Sequence, residues 1–94
     1  MKQIINGKTY NTATMTTLAS VDRYNNGNWC GDDSIRVTSR GAYAYVRTSN
    51  GQDLYREESI EAINQGEIAG RIEGWKLNDE EVALLQQHGV GEDA

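Results

Sequence analysis

Cysteine and histidine are the side chains best suited to nucleophilic and acid–base chemistry, and this sequence has one of each, Cys30 and His88. A thiol nucleophile needs a base beside it, so the two could act together only through tertiary contact. Cys30 lies in a loop-like run and is expected to be a small buried hydrophobic side chain. His88 is expected in the last turn of the final helix, where a cation interacts favourably with the helix dipole. The sequence therefore predicts no enzyme and no catalytic residues.

Metal ions and cofactors also lack the residues that would hold them. One Cys and one His cannot complete a structural zinc site. The pair Asp32-Asp33 lacks the alternating oxygen ligands and the following glycine of a calcium-binding loop. No phosphate loop or dinucleotide fingerprint is present. We expect neither a metal site nor a cofactor.

Carboxylates are the most abundant functional groups, and they are concentrated in the second half of the chain. The formal net charge of -5 divides into +3 over residues 1–50 and -8 over residues 51–94. An acidic segment disfavours direct nucleic-acid binding, whose affinity comes largely from cations that neutralise phosphates. It fits a basic surface on another protein, and Glu57, Glu58 and Glu61 are the candidate contacts. The alternative is that these charges serve solubility alone.

A second candidate surface combines aromatic and basic residues. Tyr43 and Tyr45 alternate along a strand-like run that ends with Arg47. Arg36 lies on the adjacent run, and Arg40 lies in the turn between the two. Tyr and Arg are enriched at the hot spots of protein interfaces, and aromatic side chains among cations also stack nucleic-acid bases. The sequence predicts a Tyr/Arg sheet face that contacts a protein partner. A small nucleic-acid-binding or regulatory module that uses this face is the alternative.

The scaffold for these residues is predicted from the alternation of apolar and polar positions. Ile35 and Val37 alternate with polar residues, 39–41 forms a tight turn, and 43–46 alternates again. Residues 52–55 are predicted to return as a third strand. The pattern is typical of an antiparallel meander with an apolar face and a Tyr/Arg face.

Three Asn-Gly pairs mark turns, because both central residues of a type I′ turn need a positive φ. Asn6-Gly7 lies between two short strand-like runs and predicts an opening hairpin. Asn26-Gly27 lacks apolar flanks and is interpreted as a loop. Asn50-Gly51 is predicted to link two strands.

Helical features occur in three places. A first helix is predicted from a cap at Asn11 or Thr12 to about Tyr24, although its threonines are poor helix formers. A second helix is predicted from 57 to 65, with two isoleucines at helical spacing and Gly66 as its stop. The first helix would depend on packing for its stability.

The third helix has the clearest signals, in the last part of the chain. Asn78 is predicted as its N-cap, and Glu81 lies three residues on, as in a capping box. Gly89 is predicted to end it. The preceding run, 72–77, is interpreted as a short strand, and 91–94 as a frayed tail.

Taken together, the patterns predict one α+β domain over residues 1–94. It should contain a small antiparallel sheet of four to five short strands, with two to three helices on one face. The exposed edge strands of so small a sheet favour a homodimer by edge pairing. No run approaches the roughly 18 apolar residues of a membrane-spanning helix, so no membrane partner is expected. A single cysteine fits a reducing, cytoplasmic location.

Three segments carry a resemblance to a family. Residues 5–12 read Ile-Asn-Gly-Lys-Thr-Tyr-Asn-Thr and resemble the "INGK-x-Y-D-T" opening of small proteins encoded on phages and other mobile elements. Residues 29–43 are similar to the middle pattern of those proteins, and 75–82 to their closing strand, cap and helix. The resemblance spans most of the chain. Asn11 replaces the usual Asp, and 51–70 has no counterpart.

The resemblance also implies a function. Some small mobile-element proteins of similar size and acidity act as anti-CRISPR inhibitors, which implies stoichiometric binding to a CRISPR effector protein or complex in the host bacterial cytoplasm. In this hypothesis Glu57, Glu58 and Glu61 mimic phosphate charge, and the Tyr/Arg face fixes orientation. The resemblance implies no catalytic residue.

Overall fold

The α+β architecture follows the prediction. A computed structural model of the protein describes residues 1–51 and 56–93. The described strands are β1 (Lys2–Ile5), β2 (Lys8–Asn11), β3 (Thr16–Asn25), β4 (Asn28–Val37), β5 (Tyr43–Arg47) and β6 (Ser59–Ile63). The described helices are α1 (Gln65–Arg71) and α2 (Asp79–Gln87). Strands β3 to β6 form an antiparallel sheet in the order of the sequence, and β1 and β2 form a separate antiparallel hairpin.

The opening hairpin is confirmed. Asn6 and Gly7 have φ values of 51° and 76°, so both central residues of its turn adopt the left-handed conformation that Asn and Gly tolerate best. The turn of residues 39–41 between β4 and β5 is also confirmed, with the Thr38 amide donating to the Ala42 carbonyl at 2.8 Å. These local turn signals were sufficient to place both connections.

The helix predicted from Asn11 or Thr12 to Tyr24 is wrong, because most of this segment is strand β3. Its β-branched residues favour a pleated surface, and ten residues of β4 are available to pair with it. The interpretation of Asn26-Gly27 as a loop is also wrong, because β3 and β4 pair directly on either side of it. Asn26 and Gly27, at φ 52° and 79°, form the tight turn that joins β3 to β4.

The helix predicted over 57–65 is also wrong, because residues 59–63 form the edge strand β6. Ile60 and Ile63 are three positions apart, which suggested one helical face. On a strand an odd separation places side chains on opposite faces. Ile60 packs on one side of the sheet and Ile63 on the other.

Capping boxes begin both helices. At α2 the Asn78 side chain accepts from the Glu81 amide, and the Glu81 side chain accepts from the Asn78 amide, as predicted. At α1 Asn64 and Glu67 make the same pair of bonds. Gly66 therefore lies inside α1 instead of stopping a helix, which corrects the prediction.

The connection between the helices contains no strand, so the short strand predicted over 72–77 is wrong. Ile72, Trp75 and Leu77 instead pack as partly buried side chains on the core. Irregular backbone is sufficient here because the segment only has to carry apolar side chains between the helices. After α2, Gly89 adopts φ 77° as predicted for the helix end.

Each face of the sheet has its own hydrophobic core. The helix-side core lies between the sheet and the two helices and consists of Leu18, Ala19, Ile35, Val37, Tyr45, Ile63, Ile68, Leu85 and Val90. The hairpin-side core lies between the sheet and the β1–β2 hairpin and consists of Tyr10, Ala44, Val46 and Ile60. The helices thus cover one face, as predicted, and the hairpin covers the other.

Two expectations concern the less regular parts of the chain. The third strand predicted over 52–55 lies outside the described residues. The tail after α2 makes specific contacts as far as Asp93, since the Gln86 side-chain amide donates to the Gly91 carbonyl and to Asp93 at 2.9 and 3.2 Å.

Neither described helix is long and apolar enough to cross a membrane.

Candidate functional site

The structure divides the predicted Tyr/Arg sheet face, because Arg47 shares a face of β5 with Tyr43 and Tyr45 whereas Arg36 does not. Tyr43 and Tyr45 lie on the helix-covered side, where both pack in or against the helix-side core. Arg36 pairs in register with Ala44, whose side chain belongs to the hairpin-side core, so Arg36 lies on the opposite face from the tyrosines. Strand alternation separates these residues although they are close in sequence.

Both tyrosines make internal contacts. The Tyr43 hydroxyl lies 2.9 Å from His88 Nδ1. The Tyr45 hydroxyl donates to Asp33 Oδ2 at 2.6 Å, and the Arg71 guanidinium lies 4.7 Å from the centre of the Tyr45 ring. With 8% of its surface exposed, Tyr45 is a core residue and cannot anchor a partner without rearrangement.

Three arginines converge on one buried carboxylate, that of Asp33, which is 6% exposed. Arg56 Nη2 donates to Asp33 Oδ1 at 2.6 Å, and Arg23 Nε donates to Oδ2 at 3.1 Å. Arg47 Nε lies 3.9 Å from Oδ1. We call Arg23, Arg47 and Arg56 the arginine cluster. It brings together residues from β3, β5 and the segment before β6.

The ionisation of Asp33 reflects this environment. Burial alone would raise its pKa, but hydrogen bonds from Tyr45, Arg56 and Arg23 outweigh burial and hold the pKa below the usual value of 3.8. The pKa of Tyr45 is raised, by burial first and then by its hydrogen bond to Asp33. Asp33 is therefore ionised and Tyr45 neutral near pH 7.

A cavity of about 450 Å³ opens beside this cluster. Its lining consists of the arginine cluster, Tyr24, Asn25, Cys30 and Asp33. Tyr24 is an exposed member of this lining, with 64% of its surface accessible. The cavity thus joins guanidinium groups to an accessible aromatic ring.

Gly31 shapes the wall of this cavity. Its φ is +144°, and a Cβ there would lie 2.1 Å from the Thr48 carbonyl oxygen. The close approach lets the chain after β5 run beside β4, with the Asn50 amide donating to the Cys30 carbonyl at 3.0 Å. Arg56 Nε then donates to the Thr48 carbonyl at 2.6 Å, which fixes its guanidinium next to Asp33.

The predicted acidic contacts lie elsewhere, at and before strand β6. Glu57 and Glu58 are exposed, and neither carboxylate has a hydrogen-bond or ion-pair partner among residues 1–51 and 56–93. Glu61 is different, since its carboxylate is paired with Arg71 on α1. The structure thus leaves two of the three predicted carboxylates available to a partner.

Charge is segregated across the sheet. Residues 57–93, here called the acidic segment, form β6 and the helix layer and contain ten carboxylates against two cations. Residues 1–21, which contain the hairpin of the opposite layer and the first part of β3, include Lys2 and Lys8 and no Asp or Glu. Lys8 and Arg40 both line a groove of about 480 Å³ between the hairpin and the β4–β5 turn.

Cys30 and His88 do not form a catalytic pair. Cys30 is buried, as expected, and its thiol donates to the Arg23 carbonyl at 3.3 Å. His88 contacts Tyr43, which is four positions from Arg47 at the Cys30 end of β5, about 13 Å along a strand. No group of three or more potential metal ligands occurs in the described part of the chain.

The edge strands bear on the predicted homodimer, which stays a prediction. Among the described strands, β3 and β6 lie at the two edges of the sheet. On β3 the Ser20 amide donates to Glu81 Oε2 at 2.8 Å, so the first turn of α2 occupies one amide that edge pairing could use. Association through β3 would have to displace this bond, whereas association through β6 would not.

Sequence reasoning missed most of the cavity. Arg23 lies in a segment whose pattern predicts a helix, so its place beside Asp33 on a sheet was not expected. Arg56 is 23 positions along the chain from Asp33, which it contacts. Local patterns do not report such long-range ion pairs. The available signal was Gly31, because a glycine inside a strand often marks a close backbone approach.

Comparisons with protein-family models, curated proteins and solved structures give no match. The resemblance to mobile-element proteins therefore depends on its short motifs alone. Two features of the molecule bear on its function: the acidic segment and the cavity beside the arginine cluster.

Proposed function

We propose that the protein is a stoichiometric binding protein that docks its acidic segment on a basic, nucleic-acid-binding surface of another protein. The observation that supports this proposal is the segregation of charge, with ten carboxylates against two cations in residues 57–93. Solubility requires charge but not its confinement to one layer. A partner that normally holds phosphates would complement this layer.

Within the acidic segment, the two glutamates just before β6 are the residues that we expect to contact the partner. Glu57 and Glu58 are exposed and unpaired among the described residues, so docking would break no internal ion pair there. An exposed ion pair contributes only about 0–1 kcal/mol, so several pairs must act together. Their main effect is expected on the association rate, through electrostatic steering.

The partner that we propose is a host CRISPR effector protein or complex. This step rests on the resemblance to small mobile-element proteins, some of which are anti-CRISPR inhibitors. Such effectors hold guide RNA and target DNA in positively charged channels, which are surfaces of the required kind. Inhibition would be stoichiometric and non-catalytic, with the protein and the target DNA excluding one another.

The test is an inhibition assay with a panel of purified, guide-loaded effector complexes from different CRISPR types. We expect that for one of them target-DNA binding falls to its minimum near an equimolar ratio of protein to effector. The double variant Glu57→Lys/Glu58→Lys should need at least tenfold more protein. Glu61 is left unchanged because its pairing with Arg71 is internal.

The matched control reverses two charges on the other layer, Lys2→Glu/Lys8→Glu. It should inhibit as well as the unmodified chain, since these lysines lie in the hairpin. Equal inhibition by the Glu57/Glu58 variant would contradict phosphate mimicry. A full panel without inhibition would contradict the proposed partner.

A further inference from the structure

The cavity beside Asp33 has a composition that the docking of the acidic segment does not use. We propose that it binds a nucleotide, with the phosphate held by Arg23 and Arg47 and the base stacked on Tyr24. The site is separate from the acidic segment, and of the predicted Tyr/Arg face it uses Arg47 alone.

The charge balance of the cavity favours an anion. Its lining contains three guanidinium groups and a single carboxylate among the described residues. Both oxygens of that carboxylate are already engaged, Oδ1 by Arg56 and Oδ2 by Arg23 and Tyr45. Among the described residues Asp33 is thus the one carboxylate beside three arginines, and an anionic ligand would complement the cluster.

Arg47 is the arginine best placed to receive that anion. Its side chain is 45% exposed, and its Nε lies 3.9 Å from Asp33 Oδ1, beyond hydrogen-bond distance. A guanidinium presents paired donors that match two oxygens of a phosphate. Arg23, at 43% exposure, shares the cavity and directs only its Nε to Asp33.

Arg56 has a different role in the same site. Its side chain is 7% exposed and is held by Asp33 and by the carbonyls of Thr48 and Asp32. These bonds fix a positive charge at the base of the cavity without requiring the ligand. Arg56 is thus a positioning residue, and the site is partly formed before binding.

Tyr24 indicates which class of anion the cavity would bind. Its ring is 64% exposed yet lines the same cavity as the arginines. An accessible aromatic ring beside a phosphate-binding group suits a ligand with both a flat base and a phosphate.

The rest of the molecule favours one nucleotide over a long strand. The net charge is -5, and the acidic segment would repel an extended run of phosphates. A free mononucleotide and the 5′-phosphorylated end of a strand present the same chemistry to the cavity. The experiment below distinguishes them.

The experiment is a titration of the isotope-labelled, unmodified chain followed by backbone amide chemical shifts. Adenosine 5′-monophosphate should cause saturable shifts at residues 23–25, 30–31 and 47–48. It should bind at least fivefold more tightly than inorganic phosphate or adenosine alone. A 5′-phosphorylated oligonucleotide that binds more tightly than the mononucleotide would assign the site to strand ends, and weaker binding would assign it to free nucleotides.

Variants separate the two halves of the site. Arg47→Gln should weaken binding of adenosine 5′-monophosphate at least tenfold, and Tyr24→Ala should abolish its advantage over inorganic phosphate. Arg40→Gln is the control, because Arg40 is an exposed cation that lines the other groove. Equal weakening by Arg40→Gln, or no saturable shift at millimolar nucleotide, would overturn the proposal. The assay needs no effector, so its outcome is independent of the docking proposal.

Discussion

The two faces of the sheet are packed in different ways. Among residues 1–51 and 56–93, nine buried residues that include Ile35 and Leu85 form the core on the helix side, under two capped helices and the segment between them. On the hairpin side the described core has four residues, among them Val46 and Ile60, and strands of only four residues cover it. The larger apolar area removed from water on the helix side should make it the dominant source of stability.

The same two faces differ in charge. The helix layer and β6 carry the excess of carboxylates, and the β1–β2 hairpin carries Lys2 and Lys8 without any carboxylate. One sheet thus supports a well-packed acidic layer and a lightly packed basic layer. A binding surface gains from the rigid side, because ordered contacts lose less entropy on association.

The largest expected effect compares buried isoleucines on the two faces. Ile35→Ala should lower the free energy of unfolding by about 4 kcal/mol and Ile60→Ala by about 2 kcal/mol, within the range for buried Ile truncation. The reason is that Ile35 lies on an inner strand under the helices and Ile60 on an edge strand under the hairpin. Urea denaturation measures both, and equal losses would contradict the proposed difference.

The next effect concerns adjacent aspartates whose side chains lie on opposite faces of β4. Asp33→Asn should cost about 3 kcal/mol, because it leaves the buried Arg56 cation without its charged partner. Asp32→Asn should cost less than about 1 kcal/mol, since an amide oxygen can still accept from Thr48 Oγ1. Thermal unfolding of the matched pair would distinguish a buried ion pair from a generic loss of negative charge.

Acid should weaken the helix side through Asp33. Because its folded pKa is lowered, its contribution is complete above the unfolded pKa of about 3.9 and is lost as the pH falls through the folded value. We expect the urea midpoint to fall as the pH is lowered from about 5 to about 2, and to fall less in Asp33→Asn. A variant with the full acid dependence would assign the loss to other carboxylates.

The smallest effect compares asparagine caps. Asn78→Ala should cost about 1 kcal/mol, because it removes the acceptor of the Glu81 amide at the start of α2. Asn11→Ala, at the exposed end of the hairpin, should stay within about 0.5 kcal/mol although its side chain accepts from the Ala13 amide. A larger loss at Asn11 would show that the hairpin is more closely coupled to the fold than its packing indicates.

The parts of the fold that were predictable share one property, which is that their signals are local. The Asn6-Gly7 turn and the Asn78 capping box each depend on residues within four positions of one another. Segments 11–24 and 57–65 failed because their apolar spacing fits a helix as well as an irregular or two-sided strand. A bulge in β3 brings the adjacent Leu18 and Ala19 into one core, and β6 buries Ile60 and Ile63 on opposite faces. The partner strand decided between them, and its position is not local information.

The candidate site was less predictable than the fold. Glu57 and Glu58 could be proposed from charge alone, because exposure is the usual state of such residues. The cavity could not, since it requires β3, β5 and the chain before β6 to meet at Asp33. Tyr45 shows the same limit, because its sequence neighbours suggested a surface and its spatial neighbours make it a core residue.

The layering of charge across the sheet has a consequence for the way in which the molecule meets a partner. Opposite charges on opposite layers give it an electric dipole moment directed from the helix layer towards the hairpin. In the field of a highly charged surface this dipole experiences a torque, so the molecule turns before it touches. A cationic channel would then receive it with the helices foremost, while a polyanion such as heparin would receive the hairpin, despite the net negative charge.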